Sequence, residues 1–262
     1  MKRPIGVFDS GLGGLTVVRQ LRRLLPGEDI VYFGDTARVP YGNKSPEAII
    51  RFSRENCRFL TSQNVKMIIV ACNTASSLSL EFLKRCFRVP IIGVIEPGAK
   101  MAVSSTRNNR VGVIGTNATV SSGAYGKALK KINPRIRMFA TACPLFVPLV
   151  EEGWGGKKVT HVIASTYLNP LKKSGVDTLV LGCTHYPLLR SEIAAIMGKK
   201  VQLVDSAKEV AKEAHLILDA NGLLNNGERP ARSEFFVSDE PHRFAKLGEK
   251  FLRRRLGRVR KI

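Results

Sequence analysis

Along the chain, short unbroken apolar runs alternate with longer stretches of helical spacing. Ile5 to Phe8, Ile30 to Phe33, Met67 to Ala71, Val89 to Ile95, Val111 to Ile114, Ile136 to Ala140, Leu179 to Leu181 and Val201 to Val204 form the runs. Apolar positions that do not alternate with polar ones read as strands covered on both faces, the habit of parallel sheets. Between them, helices are predicted after Gly14 to about Leu25, from Ser45 to Gln63, over Asn73 to Arg85, over 157–173 and over 207–220. Ser45 followed by Pro46 and Glu47 is a well-formed helix start. Strand and helix in alternation predict an α/β fold with parallel sheets.

The pattern restarts halfway. Val111-Gly112-Val113-Ile114-Gly115-Thr116 echoes Ile5-Gly6-Val7-Phe8-Asp9-Ser10 at an offset of 106. The runs ending in Cys72 and Cys183 are offset by 111, and those ending near Glu96 and Asp205 by 109. Three landmarks at nearly constant spacing predict two pseudo-symmetric α/β domains, with the active site in the cleft between them. The expected boundaries are 1–96 with 207–262 for the first, discontinuous domain, and 97–206 for the second. The pieces after Ser206 include a turn at Asn225-Asn226-Gly227, an alternating strand Glu234 to Val237 and a terminal helix. They fall outside the second repeat and are expected to pack back on the first half.

Composition narrows the class. In 262 residues, 44% of them hydrophobic, no apolar run approaches the roughly 20 residues of a membrane span. Met1-Lys2-Arg3-Pro4 passes straight into the first strand, so no signal peptide and a cytoplasmic location are expected. Five cysteines (57, 72, 86, 143 and 183) with no C-x-x-C predict free thiols and no zinc site. The formal charge of +21 would attract anions of any kind, nucleic acid included. Part of it is local: Arg243 to Ile262 holds nine Lys or Arg against Glu249 alone, with Phe244, Leu247, Phe251 and Leu252 at helical spacing. That segment reads as an amphipathic helix with a basic solvent face, or as a contact for nucleic acid.

Two of the cysteines suggest chemistry. Cys72 and Cys183 each end a buried run and are followed by small polar groups, Asn73-Thr74 and Thr184-His185. Gly182 is expected to let the backbone turn there. Strand carboxyl ends are where open α/β sheets carry their sites. A cysteine ending a strand is more often a small apolar residue, and Cys57, Cys86 and Cys143 take that reading. Likewise His161, His215 and His242 read as structural. The shared context of Cys72 and Cys183 points instead to one base for each face of a planar carbanion, since a thiol near ~8.5 can serve as base or acid. Asp9 and His185 are placed to tune these thiols, although Asp9 could merely cap the next helix. Asp9-Ser10-Gly11-Leu12-Gly13-Gly14 fits neither a dinucleotide fingerprint nor a Walker A loop, and suits a small carboxylate.

D-S-G-L-G-G-L-T-V (9 to 17), P-Y-G (40 to 42), A-C-N-T-A-S (71 to 76), E-P-G (96 to 98) and G-C-T-H-Y-P-L-L (182 to 189) together resemble the bacterial glutamate racemase family, over nearly the whole chain. The resemblance implies a cofactor-independent, metal-free, two-base interconversion of L- and D-glutamate that supplies D-glutamate for peptidoglycan. It implies that Cys72 acts on the α-proton of the D-enantiomer and Cys183 on that of the L-enantiomer. Asp9 and His185 would assist, with Glu151 a further helper. Asp9, Ser10, Pro40, Tyr41, Gly42, Asn73, Thr74, Thr116, Thr184 and His185 would contact substrate, and the family commonly forms homodimers. The alternatives are a racemase for aspartate or another amino acid, a basic nucleic-acid-binding or gyrase-modulating protein, and a redox thiol protein.

Overall fold

A computed structural model describes residues 3–225 and 231–262. Met1 and Lys2, and Asn226 and Gly227 of the expected turn, lie outside them. The chain forms β1 (Ile5–Asp9), α1 (Leu15–Leu24), β2 (Ile30–Gly34), α2 (Pro46–Ser62), β3 (Met67–Val70), α3 (Asn73–Cys86) and β4 (Ile91–Gly93). It continues with α4 (Ile95–Ser105), β5 (Arg110–Gly115), α5 (Asn117–Ser121), α6 (Ala124–Ile132), β6 (Arg137–Ala142), α7 (Phe146–Glu151) and α8 (Lys158–Lys173). The remainder is β7 (Thr178–Gly182), α9 (Arg190–Met197), β8 (Gln202–Val204), α10 (Ala207–Ala220), β9 (Ser233–Val237), α11 (Pro241–Leu252) and β10 (Val259–Lys261). Two compact units result, one of Met1–Val94 with Ala207–Ile262, the other of Ile95–Ser206.

The first unit holds a six-stranded sheet in the order β10-β9-β2-β1-β3-β4, the second a four-stranded sheet in the order β6-β5-β7-β8, and every pairing is parallel. Within these, β2-β1-β3-β4 and β6-β5-β7-β8 are the same order of first, second, third and fourth strands. The repeat read from the sequence is therefore a repeat of topology. β1, β2, β3 and β7 are buried along their whole length, as runs without alternation require. Ser45 caps α2, its hydroxyl accepting the Ala48 N–H at 3.3 Å.

Three expectations need correction. Val89 to Ile95 is a strand only over Ile91–Gly93; Ile95 already opens α4, with Glu96-Pro97-Gly98 inside its first turns rather than closing a strand. Proline fits there, because a helix's first N–H groups have no partner within it. Glu234 to Val237 is not a half-exposed strand: Phe235, Phe236 and Val237 are all buried, since β9 is inserted between β2 and β10. The basic tail is not one helix. α11 ends at Leu252, Arg253 turns left-handed, and Val259–Lys261 adds an edge strand beside β9. Beyond Leu252 the apolar spacing stops, so nothing holds a further turn on the sheet.

Gly182 has a different task from the turn expected of it. It is the last residue of β7, and a Cβ there would stand 2.6 Å from the Ile114 carbonyl oxygen and 3.1 Å from the Tyr125 ring. The glycine thus allows β5 and β7 to close up immediately before Cys183. Gly182→Ala is expected to cost about 1–3 kcal/mol of stability, as overpacking does, and to lower activity by shifting Cys183. A denaturation midpoint and a rate measured on one preparation check both.

Candidate active site

At the carboxyl edge of the first unit's sheet, the central strands β2, β1 and β3 run directly into Asp35, Asp9 and Cys72. The Asp35 N–H donates to the Asp9 carbonyl at 3.0 Å, and the Ala71 N–H to that of Phe8 at 2.9 Å, so the three ends stay in step. Asp9 is fully buried, and its carboxylate accepts the Gly11 N–H at 2.9 Å. It is no helix cap, since α1 starts at Leu15 with Gly14 as its N-cap and no capping side chain. Cys72 lies at the start of α3, 5% exposed, its sulfur 3.8 Å from the Ser10 hydroxyl. Asn73 and Thr74 form the buried first turn of that helix.

Two buried tyrosines back this edge. Tyr32 donates to the Gly11 carbonyl at 2.7 Å; burial first, then the charges of Asp9 and Cys72, raise its phenol well above the ordinary value. Tyr41 donates to Asp35 and accepts from the Asn56 amide at 3.0 Å. Burial and Asp35 raise its phenol too, so both rings remain neutral donors. Asp35 also accepts from Arg38 Nε at 2.9 Å and from the Ser238 hydroxyl at 3.0 Å, which fixes the 36–43 segment to β9's end. Tyr41 and Gly42 are buried within that segment, while Pro40, on the cis Val39–Pro40 peptide, is exposed.

In the second unit, β7 delivers Cys183 (7% exposed), Thr184 and His185, all buried. His185 Nδ1 stands 3.9 Å from the Cys183 sulfur, and Nε2 is 3.1 Å from a Glu151 oxygen at the end of α7. Burial alone would lower the imidazole's pKa. The hydrogen bonds and charges of Cys183 and Glu151 outweigh it and push the ring up to about 10. The raised value favours the protonated ring, which then donates toward both Cys183 and Glu151. Thr116 caps α5, its hydroxyl accepting the Thr119 N–H at 3.2 Å. Tyr125 is buried, under the electrostatic influence of Asp205 and Cys183.

The structure brings Asp9, Ser10, Cys72, Asn73 and Thr74 together with Tyr41 and Gly42 in one unit. It brings Glu151, Cys183, Thr184 and His185 together in the other. Sequence reasoning passed over Tyr32, Asp35 and Asn56. Asp35 carried a usable signal, as an acid directly after a strand beside the one ending in Asp9. The other cysteines divide: burial raises the thiols of Cys57 and Cys143, whereas Cys86, expected inside, is exposed at the end of α3. His161, His215 and His242 are exposed, away from both cysteine sites.

The Glu151 contact carries a pH prediction. A histidine raised from its unfolded value of about 6.5 to about 10 contributes stability that is full below pH ~6.5 and fades as pH rises to about 10. Glu151→Gln should therefore lower the melting temperature several degrees at pH 6.5 and much less at pH 10. Equal losses at both pH values would contradict a charged ring.

Known proteins bear on this geometry. The profile of the Asp/Glu/Hydantoin racemase family matches residues 5–214. The glutamate racemase of Geobacter metallireducens is 52% identical over 260 residues, 99% of this chain and 96% of that protein. The glutamate racemase of Francisella tularensis, solved in complex with D-glutamate, superposes with a TM-score of 0.93 at 40% identity, covering 100% of this chain and 97% of the other. The glutamate racemase isoform RacE1 of Bacillus anthracis gives a TM-score of 0.95 at 38% identity, over 99% and 97% of the two chains. A likeness of this extent, on a repeated parallel sheet with a cysteine at the end of each third strand, places the chain in the Asp/Glu/Hydantoin racemase family, among the glutamate racemases.

Proposed function

We propose that the protein interconverts L- and D-glutamate by two thiol bases, without a cofactor or a metal. The observation that carries this reading is the pair of buried cysteines at equivalent strand ends of the two sheets, each set among polar groups. With L-glutamate, the Cys183 thiolate takes the α-proton: the C–H bond breaks and an S–H bond forms. The carbanion then receives the Cys72 thiol proton on its opposite face, giving D-glutamate and a Cys72 thiolate. With D-glutamate the two exchange roles. The imidazolium of His185 holds negative charge on Cys183, Glu151 holds the imidazolium, and Asp9 serves the Cys72 side.

An α-proton is a far weaker acid than a thiol, so fixed donors must stabilise the developing charge. The buried first turn of α3, at Asn73 and Thr74, together with Thr184, is assigned that task. Asp9, Ser10, Pro40, Tyr41, Gly42, Thr116 and His185 complete the proposed substrate contacts. Asp35, through Tyr41, is a positioning residue: Asp35→Asn should raise KM for both enantiomers more than it lowers kcat. A kcat loss at unchanged KM would remove it from that role.

The reading extends to a cytoplasmic homodimer supplying D-glutamate for peptidoglycan. Among the described residues no helix is long and apolar enough to cross a membrane. Incubating the protein with pure D-glutamate, L-glutamate or D-aspartate, with no cofactor added, tests the substrate. Ellipticity should decay to zero from both glutamate enantiomers and persist with aspartate. Decay with aspartate alone would move the assignment to that substrate.

A further inference from the structure

Charge in the second unit is sorted by sheet edge. Residues 95–206 hold fifteen Lys or Arg against six acids. Glu151 reaches His185, and Asp205 follows β8, so those acids lie at the carboxyl edge with the thiol. At the opposite, amino edge the one acid is Asp177. Its carboxylate is occupied, accepting the Thr106 hydroxyl at 2.6 Å, the N–H groups of Arg107 and Asn108 at 2.7 and 2.8 Å, and the Thr178 hydroxyl at 3.0 Å. Those bonds fix the turn that carries Arg107.

Around this turn lies a depression of about 660 Å³, lined by Ser105, Arg107, Asp177, Lys199, Lys200 and Gln202. Arg107, Lys199 and Lys200 are exposed and make no ion pair among the described residues. Arg135 and Arg137 extend the cationic edge at the start of β6. Lys130 and Lys131 end α6, and Lys172 and Lys173 end α8, on the same side. Lysines in a last helical turn answer the helix dipole, which accounts for these four. It does not account for the loop cations Arg107, Lys199 and Lys200, which ring a polar depression.

We propose that this amino edge binds the phosphodiester backbone of duplex nucleic acid, with one phosphate seated in the depression between Arg107, Lys199 and Lys200. The polar hydrogen-bonding groups of Ser105 and Gln202 suit phosphate oxygens. Stacking of unpaired bases needs exposed rings. Phe139 here is half-buried, with Arg110 over its face at 4.9 Å, so the surface favours a duplex over a single strand. Binding of this kind ignores sequence and falls steeply with salt.

The test uses fluorescence anisotropy of a labelled 20-base-pair duplex against the full chain, from 50 to 200 mM salt. The triple variant Arg107→Ala, Lys199→Ala, Lys200→Ala is compared with Arg253→Ala, Arg254→Ala, Arg255→Ala, which removes the same charge from the other unit. Racemisation by both variants serves as the control for folding. The proposal expects micromolar binding whatever the base sequence, weakened tenfold or more by the first triple and less than threefold by the second. The first triple should also lower the slope of log K against log salt by about 2 to 3. Equal losses in both triples, no binding by the unaltered chain at 150 mM salt, or binding of phosphatidylglycerol vesicles without the duplex would each overturn it.

Discussion

Cys72→Ser and Cys183→Ser are each expected to lose racemisation by about 10³-fold, within the range that positioned acid–base groups contribute. Serine keeps the shape of cysteine with a slightly smaller, hydrogen-bonding head but is a far weaker acid, so a loss of this size reports proton transfer rather than packing. The two variants should differ in what they retain. In deuterium oxide, Cys72→Ser keeps the base for the L-enantiomer and should still exchange the α-proton of L-glutamate, slowly and without inversion. Cys183→Ser should do the same for D-glutamate. Proton NMR of the recovered amino acid reads both. If either variant racemised at near the unaltered rate, its cysteine would return to being a small residue ending a strand. Both sulfurs are nearly buried, at 5% and 7% exposure, so retained far- and near-ultraviolet dichroism must accompany the loss.

The largest effect on stability is expected far from the thiols. Lys66, just before β3, and Glu28, just before β2, pair at 2.6 Å with side chains 3% and 2% exposed. Lys66 also donates to the Leu223 carbonyl at 2.5 Å, and Glu28 accepts from the Asn225 backbone and side-chain N–H groups at 2.8 and 2.9 Å. The pair thereby ties the end of the segment after α10 to the amino edge of the six-stranded sheet. Lys66→Met leaves a buried carboxylate whose one remaining side-chain partner among the described residues is Asn225, and should cost about 3–5 kcal/mol. The double variant Glu28→Gln, Lys66→Met should recover more than half, because no charge is then stranded. Urea midpoints of the three proteins decide it. A loss below about 1 kcal/mol for the single variant would mean that water reaches Glu28.

Much of this was legible because a buried parallel strand can be read from apolar residues alone. The strand ends at Asp9, Cys72 and Cys183 fell where the runs stop, and the matched offsets anticipated two sheets of one strand order. What escaped depends on packing between distant segments. Nothing around Lys66 or Glu28 distinguishes them from solvated charges until Leu223 and Asn225 arrive some 160 to 200 positions later. Tyr32 reads as a strand residue, and only the fold turns its hydroxyl onto Gly11. The tail from Arg243 misled because its helical spacing is real as far as Leu252, while the edge beside β9 that receives Val259–Lys261 cannot be seen from local pattern. Glu151 lay near no motif, and its contact with His185 comes from α7 meeting the end of β7.

The central claim is two bases on two faces, and initial-rate racemisation in deuterium oxide tests it most directly. Starting from protiated L-glutamate, the D-glutamate formed at low conversion should carry deuterium at the α-carbon, because its new hydrogen comes from the Cys72 sulfur after exchange with solvent. The unreacted L-glutamate should remain protiated, and the converse should hold from the D-enantiomer. Product retaining the original hydrogen, or deuterium appearing equally in substrate and product from the first turnovers, would indicate a single base serving both faces and contradict the account.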